Sequence, residues 1–321
     1  MARIAKLLLL ICVAACLFYS EARAQTPDAA PPIRVSVERV NVGVTVTDSS
    51  GNFVPGLRRD DFHIFDNRVE QPLTDFSPIS EPAQLLLLIE SGPAVLFLGK
   101  NHARAADTLL TSLAPADRVA VATYSRSPDL IQPFTKDKPV ARESLQQMNF
   151  MAGFAELNLS SSLAAALDWL AQIPGKKNIV LLSTGVDTSP EATWQAIQTK
   201  LQISDTRILA VSLSGDFRKP AKFKKMSREQ RSERAEVKEV FAEADQELRR
   251  VAEATGGRAY FPANAEEFER AYAEIAQLIR NEYSLAFTPA SHDGQIHSLK
   301  VVTRNSSHRV DHRQAYLAPT P

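Results

Sequence analysis

The chain has 321 residues, of which 44% are hydrophobic and 23% are charged. This length is enough for about two domains with buried cores, and the composition excludes a largely disordered, collagenous or coiled-coil protein. Lysine plus arginine and aspartate plus glutamate both total 37, so the formal net charge is zero. The charge balance therefore gives no support for nucleic acid or another polyanion as the partner.

Residues 1–24 have the pattern of a secretory signal peptide. A short basic start precedes an unbroken apolar run over residues 7–18, and Ala22 and Ala24 provide the small residues of a cleavage site. The run is shorter than the ~20 residues of a membrane span. We expect cleavage after Ala24 and an extracytoplasmic protein, secreted or periplasmic. A retained signal anchor and a lipoprotein with its lipid on Cys16 are the alternatives.

Both cysteines, Cys12 and Cys16, lie in this leader. A product cleaved after Ala24 has no cysteine, which excludes disulfides, thiolate metal sites and a cysteine nucleophile.

The two ends of the remaining chain have β patterns. After a flexible leader at residues 25–32, apolar and polar residues alternate over 35–46, which predicts a strand with one buried face. Further strands are predicted in the N-terminal segment 33–80 at 54–57, 62–65 and 72–76, and in the C-terminal segment 282–318 at 283–287, 298–302 and 310–317. A sheet of about forty residues has little core of its own, so we expect the two segments to pair in one small β-sandwich.

The segment between them, residues 83–281, alternates strands with helices. Predicted strands, several of them continuous apolar runs typical of strands covered on both faces, are 85–89, 118–124, 178–183, 207–213 and 259–261. Predicted helices are 103–113, 160–173, 190–201, 233–254 and 265–280. This order predicts an α/β domain with an open, mainly parallel sheet and helices on both faces, inserted into or flanked by the β-sandwich.

Three stretches carry a family resemblance. The N-terminal segment reads VTVTD at 44–48, VPGL at 54–57 and DFHIF at 61–65, and the tail reads EYSLAFTP at 282–289 before Arg313 and Tyr316. With the strand–helix order between them, these stretches resemble the von Willebrand factor A (VWA) superfamily, and more closely its VWFA-related acidobacterial family. The resemblance covers almost the whole mature chain and implies a Rossmann-like VWA domain that binds another protein.

The resemblance also implies a metal-ion-dependent adhesion site at the carboxyl ends of the sheet strands. In VWA domains it comprises D-x-S-x-S after the first strand, a threonine that begins a helix, and the aspartate of T-D-G. Aligned on Ser91, this sequence has Ile89 at the first aspartate and Pro93 at the second serine. Ser161 takes the place of the threonine and Thr184 that of the second aspartate.

Both carboxylates of the motif are therefore missing. Magnesium prefers octahedral oxygen ligands that include carboxylates, and it gives up its hydration water reluctantly. We expect a degenerate site without a metal or cofactor, whose ligand-binding residues are Glu90, Ser91, Ser161, Thr184 and Asp187. Glu90 follows the lost aspartate by one residue, and that offset in a strand points its side chain to the opposite face unless the strand ends first. In the alternative, Glu90 or Asp187 replaces a lost ligand and magnesium binds.

The function expected from these patterns is that of an exported, non-enzymatic protein that binds another protein without a metal. The alternatives are a magnesium-dependent adhesion module and a hydrolase with Ser91 as nucleophile. No G-x-S-x-G motif surrounds Ser91, and no histidine has a clear role as its base. The partner and the oligomeric state stay open.

Two further segments allow more than one interpretation. Four histidines in the tail could share a metal site, although incidental loop histidines are commoner; they are His292, His297, His308 and His312. The basic segment 218–225 (RKPAKFKK) is either a solvated insert or a docking patch for an anionic surface.

Overall fold

The computed structural model describes residues 39–79, 82–92, 107–148, 156–188, 191–215 and 227–320. The predictions for the signal peptide, the leader, the basic segment and Pro93 lie outside the described residues. None of the described helices is long and apolar enough to cross a membrane.

The described residues form fourteen strands in three sheets. In chain order the strands are β1 Val40–Thr47, β2 Phe62–Asp66, β3 Val69–Gln71, β4 Asp75–Ile79, β5 Gln84–Glu90, β6 Arg118–Tyr124, β7 Pro128–Thr135, β8 Lys177–Ser183, β9 Thr206–Ser212, β10 Ala259–Tyr260, β11 Glu282–Phe287, β12 Ile296–Thr303, β13 Arg309–Asp311 and β14 Ala315–Leu317.

The main helices are α1 Lys138–Gln147, α2 Leu159–Ala171, α3 Glu191–Ile203, α4 Arg228–Ala254 and α5 Ala265–Arg280. Residues 107–112 are also helical, and a 3-10 turn covers Arg59–Asp61.

The central sheet has six strands in the order β10-β9-β8-β5-β6-β7. All neighbours pair in parallel except β7, which is antiparallel to β6 at one edge. Alternate residues of β5 enter two different apolar cores. Leu85 and Leu87 pack in a core that α5 covers with Tyr272, and Leu86 packs in a core that α2 covers with Leu163. The predicted α/β class, with an open and mainly parallel sheet between helices, is confirmed.

The N- and C-terminal strands together form two four-stranded sheets, β13-β1-β11-β4 and β14-β12-β2-β3. Strand β1 pairs antiparallel with β11, and β2 pairs antiparallel with β12. Both sheets contribute to one apolar core, in which Val42, Ile64, Leu285 and Val301 are buried. The six-stranded unit is thus inserted in the chain between the two halves of a β-sandwich.

Some predicted elements have different bounds. The strand expected at 54–57 is absent there, because the Tyr283 hydroxyl donates to the Val54 carbonyl at 2.7 Å and accepts from the Leu57 amide at 3.2 Å. One tyrosine side chain therefore satisfies backbone groups that a sheet would otherwise pair. The strand expected at 72–76 lies instead at β4, and the one expected at 310–317 is divided into β13 and β14.

Candidate functional site

The carboxyl end of β5 places Glu90 in the interior of the α/β unit. Its side chain has no solvent-exposed area. The oxygen Oε2 accepts hydrogen bonds from the Thr184 amide at 2.7 Å and from the Thr184 hydroxyl at 2.8 Å. Thr184 directly follows β8, which is the parallel neighbour of β5. Two strand ends are thus joined through one carboxyl group.

Two more hydroxyl groups complete this arrangement, which we call the Glu90 cluster (Glu90, Tyr124, Ser183 and Thr184). Ser183 Oγ lies 3.2 Å and the Tyr124 hydroxyl 3.3 Å from Oε2 of Glu90. The Tyr124 hydroxyl donates to Ser183 Oγ at 2.6 Å, and the Gly185 amide donates to the same Oγ at 2.8 Å. The second oxygen of Glu90, Oε1, has no hydrogen-bond partner among the described residues.

Burial sets the protonation chemistry of the Glu90 cluster. It raises the pKa of Glu90 above the ordinary value, although the hydrogen bonds from Thr184, Ser183 and Tyr124 act in the opposite direction. Burial also raises the pKa of Tyr124 well above its ordinary value, and the nearby Glu90 adds to that rise. Burial therefore shifts the titration of both side chains to higher pH.

The Glu90 side chain has the direction expected for a one-residue offset in a strand. Glu90 belongs to β5, and its carboxyl group lies on the face opposite Ile89, where it contacts Thr184. Ile89, which the family alignment places at the carboxylate position, is buried in the apolar core on the other face. The reason is that Glu90 lies beside Tyr124 in strand register, on the same face as Ser183. A one-residue offset in a strand selects the face, and here the polar face is that of Glu90.

Ser91 anchors the first residue after β5 to the neighbouring strand. Its amide donates to the Tyr124 carbonyl at 2.8 Å, and its hydroxyl donates to the same oxygen at 3.0 Å. In this geometry the hydroxyl proton of Ser91 is directed to the main chain.

Asp187 serves the beginning of α2. Its Oδ2 accepts from the Ser160 amide at 2.6 Å, while Asn158, the residue at the N-cap position, makes no side-chain cap. A carboxylate at a helix N-terminus satisfies an otherwise unpaired amide and the positive end of the helix dipole. The loop is held by Thr188, whose amide and hydroxyl donate to the Leu157 carbonyl at 2.7 and 3.0 Å.

The five predicted site residues lie near the carboxyl ends of the sheet strands, but they belong to three separate sets of hydrogen bonds. Glu90 and Thr184 are in direct contact, and Asp187 binds the helical turn that contains the half-buried Ser161. Ser91 bonds to the backbone of Tyr124 instead. The sequence motifs do not indicate Tyr124 and Ser183 as site residues. Both residues nevertheless end strands next to β5, and their hydroxyl groups contact the Glu90 carboxyl group.

The long helix α4 covers one side of this edge. Gly185 has a φ of +80°, and a Cβ atom there would lie 2.6 Å from the Ala244 carbonyl oxygen, so the close approach requires glycine. Next to it, Oδ1 of Asp245 accepts hydrogen bonds from Ser212 and Ser214 at 3.1 and 3.2 Å. This second buried polar group fixes α4 to the end of β9.

The donor set at this edge fits magnesium poorly. Oε2 of Glu90 is occupied by protein donors, and an oxygen of Asp187 is occupied by the Ser160 amide. Among the described residues, no group of three or more His, Cys, Asp or Glu side chains is arranged to hold a metal ion. A cation at Oε2 of Glu90 would have to displace the Thr184 donors.

The tail histidines have separate roles. The ring of His297 is buried, with Nδ1 2.7 Å from Asp66 and Nε2 3.2 Å from Asp293. The Tyr316 hydroxyl also donates to Asp66, at 3.0 Å. Burial lowers the pKa of His297, but the carboxylates of Asp293 and Asp66 outweigh this effect and raise it. His312 instead accepts from the Val301 amide, so the two rings serve different parts of the sandwich.

No protein-family model and no curated protein matches this sequence. Solved structures do resemble it. BatB from Bacteroides thetaiotaomicron is 12% identical, with 61% of this chain and 98% of that chain covered and a TM-score of 0.39. A von Willebrand factor type A protein from Catenulispora acidiphila is 11% identical, with coverages of 83% and 76% and a TM-score of 0.47. Manganese-loaded TRAP protein from Plasmodium vivax is 12% identical, with coverages of 77% and 98% and a TM-score of 0.41.

These similarities concern the fold alone. VWA domains are among these similar structures, and the sequence motifs of this chain resemble the same superfamily.

Proposed function

We propose that this protein is a non-enzymatic, extracytoplasmic binding module. It holds another protein at the carboxyl-end edge of its six-stranded sheet and needs no metal ion to do so. The observation that carries the proposal is the Glu90 cluster, in which Thr184 stands where the family motif has its second aspartate and donates to a buried carboxyl group.

The chemistry of the cluster supports metal-independent binding. Glu90 is buried with a raised pKa, and the closest of four donors to its Oε2 is the Thr184 amide at 2.7 Å. A buried carboxyl oxygen that already accepts from protein donors is a poor ligand for magnesium, which gives up its hydration water reluctantly. Asp187 is already committed to the N-terminus of α2.

Accessible groups around this edge supply the contacts that a protein partner would use. Glu156 and Arg126 form an exposed ion pair with 2.8 Å between Oε2 and Nε, and Thr188 is exposed beside it. Such polar rims contribute specificity and orientation at protein interfaces. The resemblance of the sequence motifs to VWA domains supports protein binding, and the N-terminal leader supports export.

The proposal is tested with a photo-crosslinking residue at one of two exposed positions. Glu156 lies at the carboxyl-end edge, and Gln172 lies at the opposite end of the sheet, before β8. We expect a specific protein adduct from position 156, unchanged when EDTA removes divalent cations, and none from the control position 172. Equal adducts from both positions would contradict the location of the binding face. Loss of the position-156 adduct in EDTA would show the metal-dependent alternative instead.

A further inference from the structure

A polar cavity lies at the amino-terminal ends of strands β8 and β9, where the α/β unit meets strands β1 and β11. Its volume is about 690 Å³, and Arg39, Asn178, Arg207, Glu282 and Arg313 are among the residues that line it. Small-molecule sites in proteins typically occupy ~300–1,000 Å³. The size is therefore that of a ligand site, which leaves the chemistry of the lining to decide what fits.

An ion triad forms the floor of the cavity. The carboxylate of Glu282 contacts Lys176 Nζ on one oxygen, and its other oxygen lies 2.5 Å from Arg207 Nη2. All three side chains are less than one-tenth exposed. Gly43 makes this possible, because a Cβ there would lie 1.7 Å from Oε1 of Glu282.

The triad carries an uncompensated positive charge. Burial by itself would raise the pKa of Glu282, but Arg207 and Lys176 lower it below the ordinary value, so the carboxylate is ionised. Two cations then share one anion in a buried position. Burial lowers the pKa of Lys176 and the nearby Arg207 adds to that effect, whereas Glu282 opposes it.

The walls add a second positive charge and unused hydrogen-bonding groups. Arg313 donates through Nη2 to the Asn41 carbonyl at 2.8 Å, but its buried Nε has no partner in the described part of the chain. Asn178, beside Arg207 in strand register, is fully buried, and neither end of its amide has a partner there. Buried polar groups normally have hydrogen-bond partners, so this amide keeps unused hydrogen-bonding capacity beneath the surface of the cavity.

The other charges of the lining cancel in pairs. Arg39 binds Asp75 at 2.6 Å, and Lys177 binds Asp205 at 2.6 Å. The positive surplus therefore comes from Arg313 and from the triad, on the side where Asn178 lies.

We propose that this cavity binds a small polar solute with an oxyanion, a carboxylate or a phosphate. The oxyanion faces Arg313 and the Lys176–Arg207 pair, close to the buried Asn178 amide. Arginine suits this role because its planar donors match the oxygens of either anion. The site is independent of the protein-binding face, since it lies at the amino-terminal ends of the sheet strands and that face lies at their carboxyl ends.

The test measures thermal unfolding of the purified protein with citrate or inorganic phosphate, against chloride at equal ionic strength. A probe at about ten times its Kd should raise Tm by about 3 °C. A rise with citrate alone identifies a carboxylate ligand, and a rise with phosphate alone identifies a phosphate ligand. No rise with either probe would overturn the proposal.

Variants locate the site. Arg313→Gln should weaken probe binding about tenfold or more by isothermal titration, because it removes charged hydrogen bonds. Arg270→Gln, the same change at an exposed position of α5, should bind like the wild type. Ser77→Trp keeps the lining charges but fills the cavity from an exposed lining position, and should also prevent binding. Wild-type affinity in Ser77→Trp would overturn the assignment even if Arg313→Gln failed to fold.

Discussion

Glu90 is a carboxyl group with all its hydrogen bonds on one oxygen. Oε2 faces four donor groups, whereas Oε1 has none in the described residues and lies close to Gly92. Burial raises the pKa of this carboxyl group, whereas the hydrogen bonds to Oε2 lower it. This chemistry has a consequence for stability as the pH changes.

The stability contribution of Glu90 should decrease with rising pH. Its folded-state pKa lies above the ordinary 4.5, so the folded protein binds the proton more tightly than the unfolded chain. The contribution is fully present below pH 4.5 and is lost as the pH rises through the folded-state pKa. Glu90→Gln stays uncharged and lacks this loss, so the variant should gain stability relative to wild type between pH 4.5 and about pH 8.

Urea unfolding at both pH values measures this difference. Each tenfold change in the ionisation constant corresponds to about 1.4 kcal/mol in the free energy of unfolding. Glu156→Gln, which changes an exposed carboxylate at the same edge, should follow the wild-type pH profile. An unchanged difference between wild type and Glu90→Gln at the two pH values would show that Glu90 is not the titrating group.

The residue types of this site were predictable, but their contacts were not. The sequence indicates that Glu90 and Thr184 follow adjacent strands, which brings them to one edge of a parallel sheet. It does not reveal the strand register, and the register decides that Glu90 instead of Ile89 meets the polar groups. Tyr124 was visible only as the last residue of a predicted strand, because nothing local indicates that its hydroxyl reaches Ser183.

At the scale of elements, the accuracy of prediction follows burial. The continuous apolar runs of β5, β8 and β9 predict those strands to within about one residue, and α5 is predicted in full. Strand β7 was not predicted, since it is an exposed edge strand with Pro128 and Pro133, and edge strands tolerate proline. Helix α1 was not predicted either, because its apolar face is narrow: Ala141 is buried, and Leu145 is only partly buried against the core.

The pairing of β1 with β11 depends on a glycine that the sequence pattern did not single out. Gly43→Ala should destabilise the protein by about 3 kcal/mol, because the added methyl group displaces Glu282 from its two cations and so disturbs a buried ion pair. Urea unfolding checks this value. The matched control is Ser284→Ala, which changes the residue opposite Gly43 in the register and should cost less than about 1 kcal/mol. Equal losses in the two variants would mean that the contact with Glu282 is unimportant.

At the scale of the whole molecule, the sandwich is built from segments more than 200 residues apart in the sequence. Each of its sheets contains strands from both segments, so neither segment can form its sheet alone. The same ion triad joins the inserted unit to the sandwich, since Lys176 and Arg207 belong to the α/β unit and Glu282 begins β11. The sandwich therefore depends on its C-terminal strands, whereas all strands of the six-stranded sheet lie before residue 282.

Deletion of residues 282–321 tests this dependence. Among the described strands, the deletion removes β11 and β13, which pair with β1. It also removes the one partner of β4, again β11, and it removes β12, which pairs with β2. Residues 39–79 would then keep only the β2–β3 hairpin, and isolated two-stranded hairpins are at best marginally stable in water. We expect limited proteolysis with mass spectrometry to show rapid cleavage within 39–79, while the α/β unit stays protected by its own sheet and helices. A chain that ends at residue 318 retains every strand and should resist protease like the full chain. If residues 39–79 remain equally protected after the deletion, the N-terminal strands fold without their C-terminal partners, and the two segments do not form one cooperative sandwich.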